Sequence, residues 1–149
     1  IKRIPAIAIL GKKDYGIRFY GVPSGYEFTS LVDDIIDVSN GTTNLSEDTK
    51  TRLKAVKDSV HIQVFVLPTC PYCPRAVRLA HQFAIENDLI TADMVEVMEF
   101  PQLAQKYNVM AVPKTVINET IDFIGVLPEE QLVEHVLVAM RKPPTTMYS

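Results

Sequence analysis

The alternation of apolar and polar positions is clearest in the middle of the chain. Ile62-Gln63-Val64-Phe65-Val66-Leu67 is an almost unbroken apolar run of strand length, rich in β-branched residues, and predicts a central strand buried on both faces. Pro68 to Pro74 end that run, and Ala76, Leu79, Ala80, Phe83 and Ala84 then recur at helical spacing. Met94 to Met98 predicts a second strand, and strand, helix and strand at this spacing imply a parallel pair with a right-handed crossover. A short helix is expected from Pro101 to about Tyr107. Lys114 to Asn118, the turn Glu119-Thr120 and Ile121 to Gly125 form an antiparallel hairpin pattern. Pro128, Glu129 and Glu130 open a last helix with Leu132, Val133, Val136, Leu137 and Met140 on its buried stripe. Residues 142–149 read as a frayed tail.

The front of the chain repeats the end of that pattern. Ile4-Pro5-Ala6-Ile7-Ala8-Ile9 and Ile17-Arg18-Phe19-Tyr20-Gly21-Val22-Pro23 line up with Val112-Pro113-Lys114-Thr115-Val116-Ile117 and Ile121-Asp122-Phe123-Ile124-Gly125-Val126, with Pro128 following. Each copy then enters a helix. In the first, Ser24 and Glu27 are spaced as a capping box, and Phe28, Leu31, Val32, Ile35 and Ile36 predict the buried face. A hairpin with one helix buries too little surface to stand alone. Residues 1–40 are therefore expected to be the closing half of a first unit that lacks a dithiol. Either its opening half is missing from the front, or the piece packs on the second unit or on another chain. The start at Ile1 instead of Met suggests processing, truncation or residues outside the sequence. Residues 41–59 read as a linker followed by a polar helix capped by Ser46, and 60–141 as a complete α/β domain.

Composition narrows the classes. A 149-residue chain that is 47% hydrophobic can bury one good core and part of another. A net charge of −3 without a basic run gives no reason to expect nucleic acid or an anionic membrane surface. The longest apolar stretches fall far short of the roughly 20 residues that span a bilayer, and no amino-terminal signal pattern is present. The expectation is a soluble, cytoplasmic protein. Its two cysteines sit three positions apart, which is unlike a disulfide-stapled scaffold.

Thiol–disulfide exchange needs a cysteine whose thiolate is stabilised and which solvent can reach. Cys70, at the strand-to-helix junction, is expected at the first helical turn, where unsatisfied N–H groups and the helix dipole favour negative charge, with Arg75 close enough in sequence to help. Cys73, three residues on, is placed to attack the mixed disulfide that Cys70 forms. Pro71 restricts the loop between them and Tyr72 offers an amphipathic surface. Two other uses of the pair stand beside this one: a zinc site, for which two chains would have to share the ion, and an inert buried pair, against which the flanking prolines argue.

Strand, Cys70-Pro71-Tyr72-Cys73, helix, strand, helix, Val112-Pro113, hairpin and helix together resemble the thioredoxin superfamily, with the CPYC motif of glutaredoxins. With the half-repeat included, almost the whole chain resembles the glutaredoxin-like protein disulfide oxidoreductases of thermophilic archaea and bacteria, which fuse two thioredoxin folds. The resemblance implies a mixed central sheet with helices on both faces and a cis Pro113 facing the dithiol, so that Val112 offers backbone groups to an extended substrate. It matches Pro5 to the same loop of the first unit. It also implies protein dithiol and disulfide substrates, a thioredoxin reductase as a source of electrons, and no cofactor beyond the Cys70–Cys73 disulfide. A relay module like the paired thioredoxin-fold domain of bacterial peroxide-reductase flavoproteins is the alternative. Ile62 to Leu67 carries no acidic residue, so Glu96 is the nearest candidate proton acceptor, with a solvent-facing strand residue as the plainer reading. Lys114 is expected to be solvated. His61, His81 and His135 are scattered, and Gly125-Val126-Leu127-Pro128 stands where glutathione-dependent glutaredoxins carry paired glycines. The edge of residues 4–20 is a candidate homodimer surface.

Overall fold

The apolar run at the middle of the chain lies at the middle of a sheet. The computed structural model describes residues 3–141, so the expected tail lies outside the described residues. In chain order the elements are β1 (Ala6–Leu10), β2 (Asp14–Tyr20), a 3-10 turn (Gly25–Glu27) leading into α1 (Phe28–Asn40), α2 (Glu47–Leu53), β3 (Val60–Val66), α3 (Cys73–Glu86), β4 (Ile90–Glu96), α4 (Pro101–Lys106), β5 (Lys114–Ile117), β6 (Ile121–Ile124) and α5 (Glu129–Arg141).

The described residues form one six-stranded sheet in the order β1-β2-β4-β3-β5-β6. β3 runs parallel to β4, with Val64 opposite Met94, and antiparallel to β5, with Val64 opposite Thr115. The front hairpin packs on the second unit by extending its sheet: β2 joins β4 in parallel, with Phe19 opposite Met94. On one face Phe19, Ile62, Val64 and Met94 bury against α3 residues Val77, Ala80 and Phe83 and α5 residues Val133 and Val136. On the other face Phe65, Val95 and Val116 pack with Phe100, Leu103 and Tyr107 at α4. Each Val, Ile, Leu, Met or Phe among these contributes about 1.5–3 kcal/mol by leaving water.

β4 begins at Ile90, four residues ahead of the expected Met94, and ends at Glu96. Asp93 hides this start in the sequence; in the sheet its carboxylate is 2.6 Å from His61 Nε2 on β3. α2 ends at Leu53, short of Lys57, and Ser46 caps it as expected, its Oγ accepting from the Thr49 N–H at 3.2 Å.

The half-repeat is present in three dimensions. Ile4–Pro5 and Val112–Pro113 are both cis. In each copy the glycine after the second hairpin strand donates its N–H to the proline carbonyl at 2.9 Å: Gly21 to Pro5 and Gly125 to Pro113. Both glycines hold φ near +100° (+102° and +101°), a conformation natural only to glycine.

α1 is turned opposite to expectation. Phe28, Val32, Ile35 and Ile36 are exposed, Phe28 by 59%, while Ser30, Asp34 and Val38 are buried. Of the expected stripe, Leu31 alone packs on the core. Ion pairing explains the choice: Asp34 and Asp37 meet Arg78 of α3 at 2.6 and 2.8 Å. Ser24 forms no side-chain cap, so the capping box is not made.

Candidate active site

β3 ends at Val66, and the chain turns through Pro68 and Thr69 to bring Cys70 just ahead of α3. The Cys70 N–H donates to the Leu67 carbonyl at 3.1 Å. α3 begins at Cys73 with Pro74 in its first turn, so the helix starts three residues later than expected and Cys70 precedes its first turn. Both cysteines are free; Cys70 is half-buried and Cys73 has no exposed surface. Burial pushes the Cys73 thiol strongly up, and a hydrogen bond with Cys70 adds to this, while the Leu67 backbone opposes it. One sulfur can be reached from solvent, and the other stays a thiol until a base removes its proton.

Glu27, on the 3-10 turn, is 1% exposed and lies close enough for its charge to raise the Cys73 thiol further. Its Oε1 accepts from Ser30 Oγ at 3.0 Å, and Oε2 has no hydrogen-bond partner among the described residues. Burial lifts its ionisation to about 7; the Ser30 bond and the His81 charge pull it down, and Asp34 pushes it up. Two contacts tie this turn to the dithiol loop. The Tyr26 N–H donates to the Pro68 carbonyl at 3.1 Å, and Gly25, at φ +59°, lies so near that an added Cβ would sit 2.4 Å from the same oxygen. In the sequence Glu27 looks like a cap, and the polar spacing Glu27, Ser30, Asp34, Asp37 was the available signal for an inward polar face.

The other expected residues fall as follows. Pro71 and Tyr72 are exposed, Tyr72 by 64%. Val112 is half-buried and packs on the same core as Cys70, beside buried cis Pro113. Arg75 is exposed and lines a groove with Leu79, Gln82 and Leu127. Glu96 does not face solvent: it is 3% exposed, and its Oε2 accepts from the Glu99 N–H at 2.7 Å, which fixes the chain leaving β4. Lys114 is not solvated either. Its Nζ donates to the Tyr107 carbonyl at 2.6 Å and pairs with Asp122 at 3.2 Å, joining α4 to the last hairpin. Among the described residues no three His, Cys, Asp or Glu side chains form a metal cage.

Residues 60–138 match the thioredoxin domain family. The chain belongs to the thioredoxin family. It is 45% identical over 76 residues to a thioredoxin of Methanocaldococcus jannaschii, covering 50% of this chain and 89% of that one. A protein disulfide oxidoreductase from Aeropyrum pernix superposes with a TM-score of 0.84 at 40% identity over 91% of this chain and 60% of its own. The alkylhydroperoxide reductase protein AhpF of Enterococcus faecalis superposes with a TM-score of 0.85 at 29% identity, over 91% and 66%. This thioredoxin-family chain thus spans less than two thirds of either structure's length. Glu27 lies outside the matched stretch 60–138.

Proposed function

We propose that this protein is a protein disulfide oxidoreductase, exchanging thiols and disulfides in protein substrates through Cys70 and Cys73. One juxtaposition carries the reading: a half-buried cysteine hydrogen-bonded to a buried one at the start of α3, with Glu27 buried behind them. The Cys70 thiolate attacks a substrate disulfide; one substrate sulfur bonds to Cys70 and the other leaves as a thiolate. Glu27 takes the proton of Cys73, whose sulfur then bonds to Cys70 and displaces the second substrate sulfur. The substrate gains two electrons, the protein keeps the Cys70–Cys73 disulfide, and the Glu27 proton passes to the departing thiolate. Run backwards, the same steps oxidise a dithiol. Glu27 replaces Glu96 as the acceptor in this reading. Val112 beside Pro113 offers backbone groups to an extended substrate, Tyr72 and Pro71 shape the approach, and Arg75 adds only distant positive charge. The redox group is the dithiol itself, recharged by a thioredoxin reductase in the cytoplasm.

Insulin reduction by dithiothreitol tests the core of this reading. Cys70→Ser is expected to bring turnover down to the uncatalysed rate; retained activity would overturn it.

A second reading is an electron relay for one dedicated partner, favoured by the likeness to AhpF. Reduction of many disulfide proteins supports the first reading, and transfer to a single partner the second. In either, residues 1–40 are the closing half of a first thioredoxin-like unit and 60–141 a second. The matched proline loops support this division, as does the apolar outer side of α1 beside the free edge of β1. That surface suits a further strand-and-helix layer or a second copy of the chain.

A further inference from the structure

Behind the dithiol, the seam between α1 and α3 holds four buried polar side chains: Glu27, Ser30, Asp34 and His81. The proposed chemistry uses the first alone. Asp34 accepts from Arg78 Nη1 at 2.6 Å, and its other oxygen is 2.5 Å from His81 Nδ1. Arg78 reaches Asp37 at 2.8 Å on the outer side of the seam. Phe19 of β2 closes over the imidazole edge-on, with ring centroids 4.9 Å apart. His81 Nε2 is buried and has no hydrogen-bond partner among the described residues, and the same is true of Glu27 Oε2. One buried seam therefore contains an acid and a base, each with an unused atom, where buried polar atoms are ordinarily paired.

Charge counting relates them. The buried and half-buried groups packed round the two are Asp34 and Asp37 from α1, Arg78 and Cys73 from α3, and the uncharged Phe19 from β2, while Asp33 of α1 meets Arg78 at 3.8 Å from the solvent side and stays outside this count. With both aspartates ionised and Arg78 positive, the seam carries one net negative charge. A proton on His81 neutralises it, and an ionised Glu27 then restores a single negative charge. A neutral ring beside an ionised Glu27 would leave two negative charges buried together, whereas a charged ring leaves one. Asp34 holds the ring by its Nδ1 and leaves Nε2 without a partner among the described residues.

We propose that His81, held by Asp34, is a positioning residue for the resolving step: it supplies the positive charge that lets Glu27 stand as a carboxylate ready for the Cys73 proton. The proposal rests on Glu27 being that acceptor. The step itself is unchanged: the proton moves from Cys73 Sγ to Glu27, the Cys70–Cys73 bond forms, and the bond from Cys70 to the substrate sulfur breaks. His81 exchanges nothing with the substrate.

The test uses 5,5′-dithiobis(2-nitrobenzoate) with the reduced protein in a stopped-flow instrument. The first thionitrobenzoate released reports attack by Cys70 and serves as the internal reference; the second reports resolution by Cys73. In the wild type the second rate is expected to inflect near the Glu27 ionisation, and Glu27→Gln should remove that inflection. His81→Asn keeps a donor for Asp34 without a titrating ring, and should move the inflection up by about one pH unit, with a several-fold slower second release at pH 7. An unmoved inflection in folded His81→Asn overturns the proposal. An inflection that survives Glu27→Gln instead overturns the role of Glu27. If His81→Asn does not fold, the ring nitrogens of His81 in wild type and Glu27→Gln at pH 7 decide by NMR. A different protonation supports the pairing, and identical shifts overturn it.

Discussion

Glu27 ionises near neutrality because the fold withholds water from it, and the same fact makes it a weak point. A carboxyl that titrates at 4.5 in the open chain and at about 7 in the fold has its neutral form favoured by folding. Below pH 4.5 both states are protonated and nothing is lost. Above it the unfolded chain ionises first, and the cost grows until the folded carboxyl also ionises, above about 7. At 1.4 kcal/mol for each pH unit, Glu27→Gln should stabilise the protein by roughly 3 kcal/mol at pH 8 and by much less at pH 5. Urea unfolding at the two pH values checks this; equal gains at both would contradict it. Gly25 holds Glu27 in place from the other side. Gly25→Ala should cost about 1–3 kcal/mol through its positive φ and its approach to the Pro68 carbonyl, and should slow resolution in the same thionitrobenzoate assay. Cys70, Cys73 and Pro113 were readable because each belongs to a local pattern. Glu27 was not, because its burial next to Cys73 depends on α3, more than forty residues away, and its local pattern is that of an ordinary helix cap.

α1 shows how a helix with two plausible faces chooses between them. Its apolar side satisfies the usual rule for burial, yet its acidic side lies inward because Arg78 and His81 meet it there. Breaking that arrangement from one side leaves buried charge unpaired, so Asp34→Ala is expected to lose about 3–5 kcal/mol in chemical denaturation. Ile35→Gln, by hydrophobic pattern the more damaging change, should stay within about 0.5 kcal/mol. Reversal of that order would place the isoleucine face inward. α3 and α5 were readable from spacing alone because one apolar stripe on each meets the sheet: Phe83 and Ala84 in the first, Val133 and Val136 in the second. β4 was misplaced because Asp93 finds its partner in His61 on a neighbouring strand, which one-dimensional patterning does not display.

At the scale of the molecule, a β3–β4 centre stands between two similar hairpins, and the ends of the sheet differ in what covers them. The outer side of α1 exposes Phe28, Val32, Ile35 and Ile36, and Ile7 and Leu10 of β1, the edge strand of the described sheet, are exposed as well. An apolar patch next to an unpaired strand edge favours association. The 149-residue chain should therefore self-associate with rising concentration in sedimentation experiments, and Phe28→Lys with Ile35→Lys should suppress this; concentration-independent sedimentation of the wild type would contradict it. The order of elements and the repeat were visible in the sequence, since Pro5 and Gly21 mark the same positions as Pro113 and Gly125. That the two hairpins share one sheet was not, because strand pairing over such separations leaves no local pattern.

The contact between Gly25 and the Pro68 carbonyl also bears on what descent can discard. The thioredoxin match begins at residue 60, yet the acid behind Cys73 is delivered by residue 27. A lineage that shed the front hairpin and its helix as a spent duplicate would keep both cysteines and lose the group that serves the second. With Glu27 in the role proposed for it, the front segment would be held in place by selection on the dithiol's chemistry, and substitutions at Gly25, Glu27 and Asp34 should be as rare among relatives as substitutions in the dithiol loop.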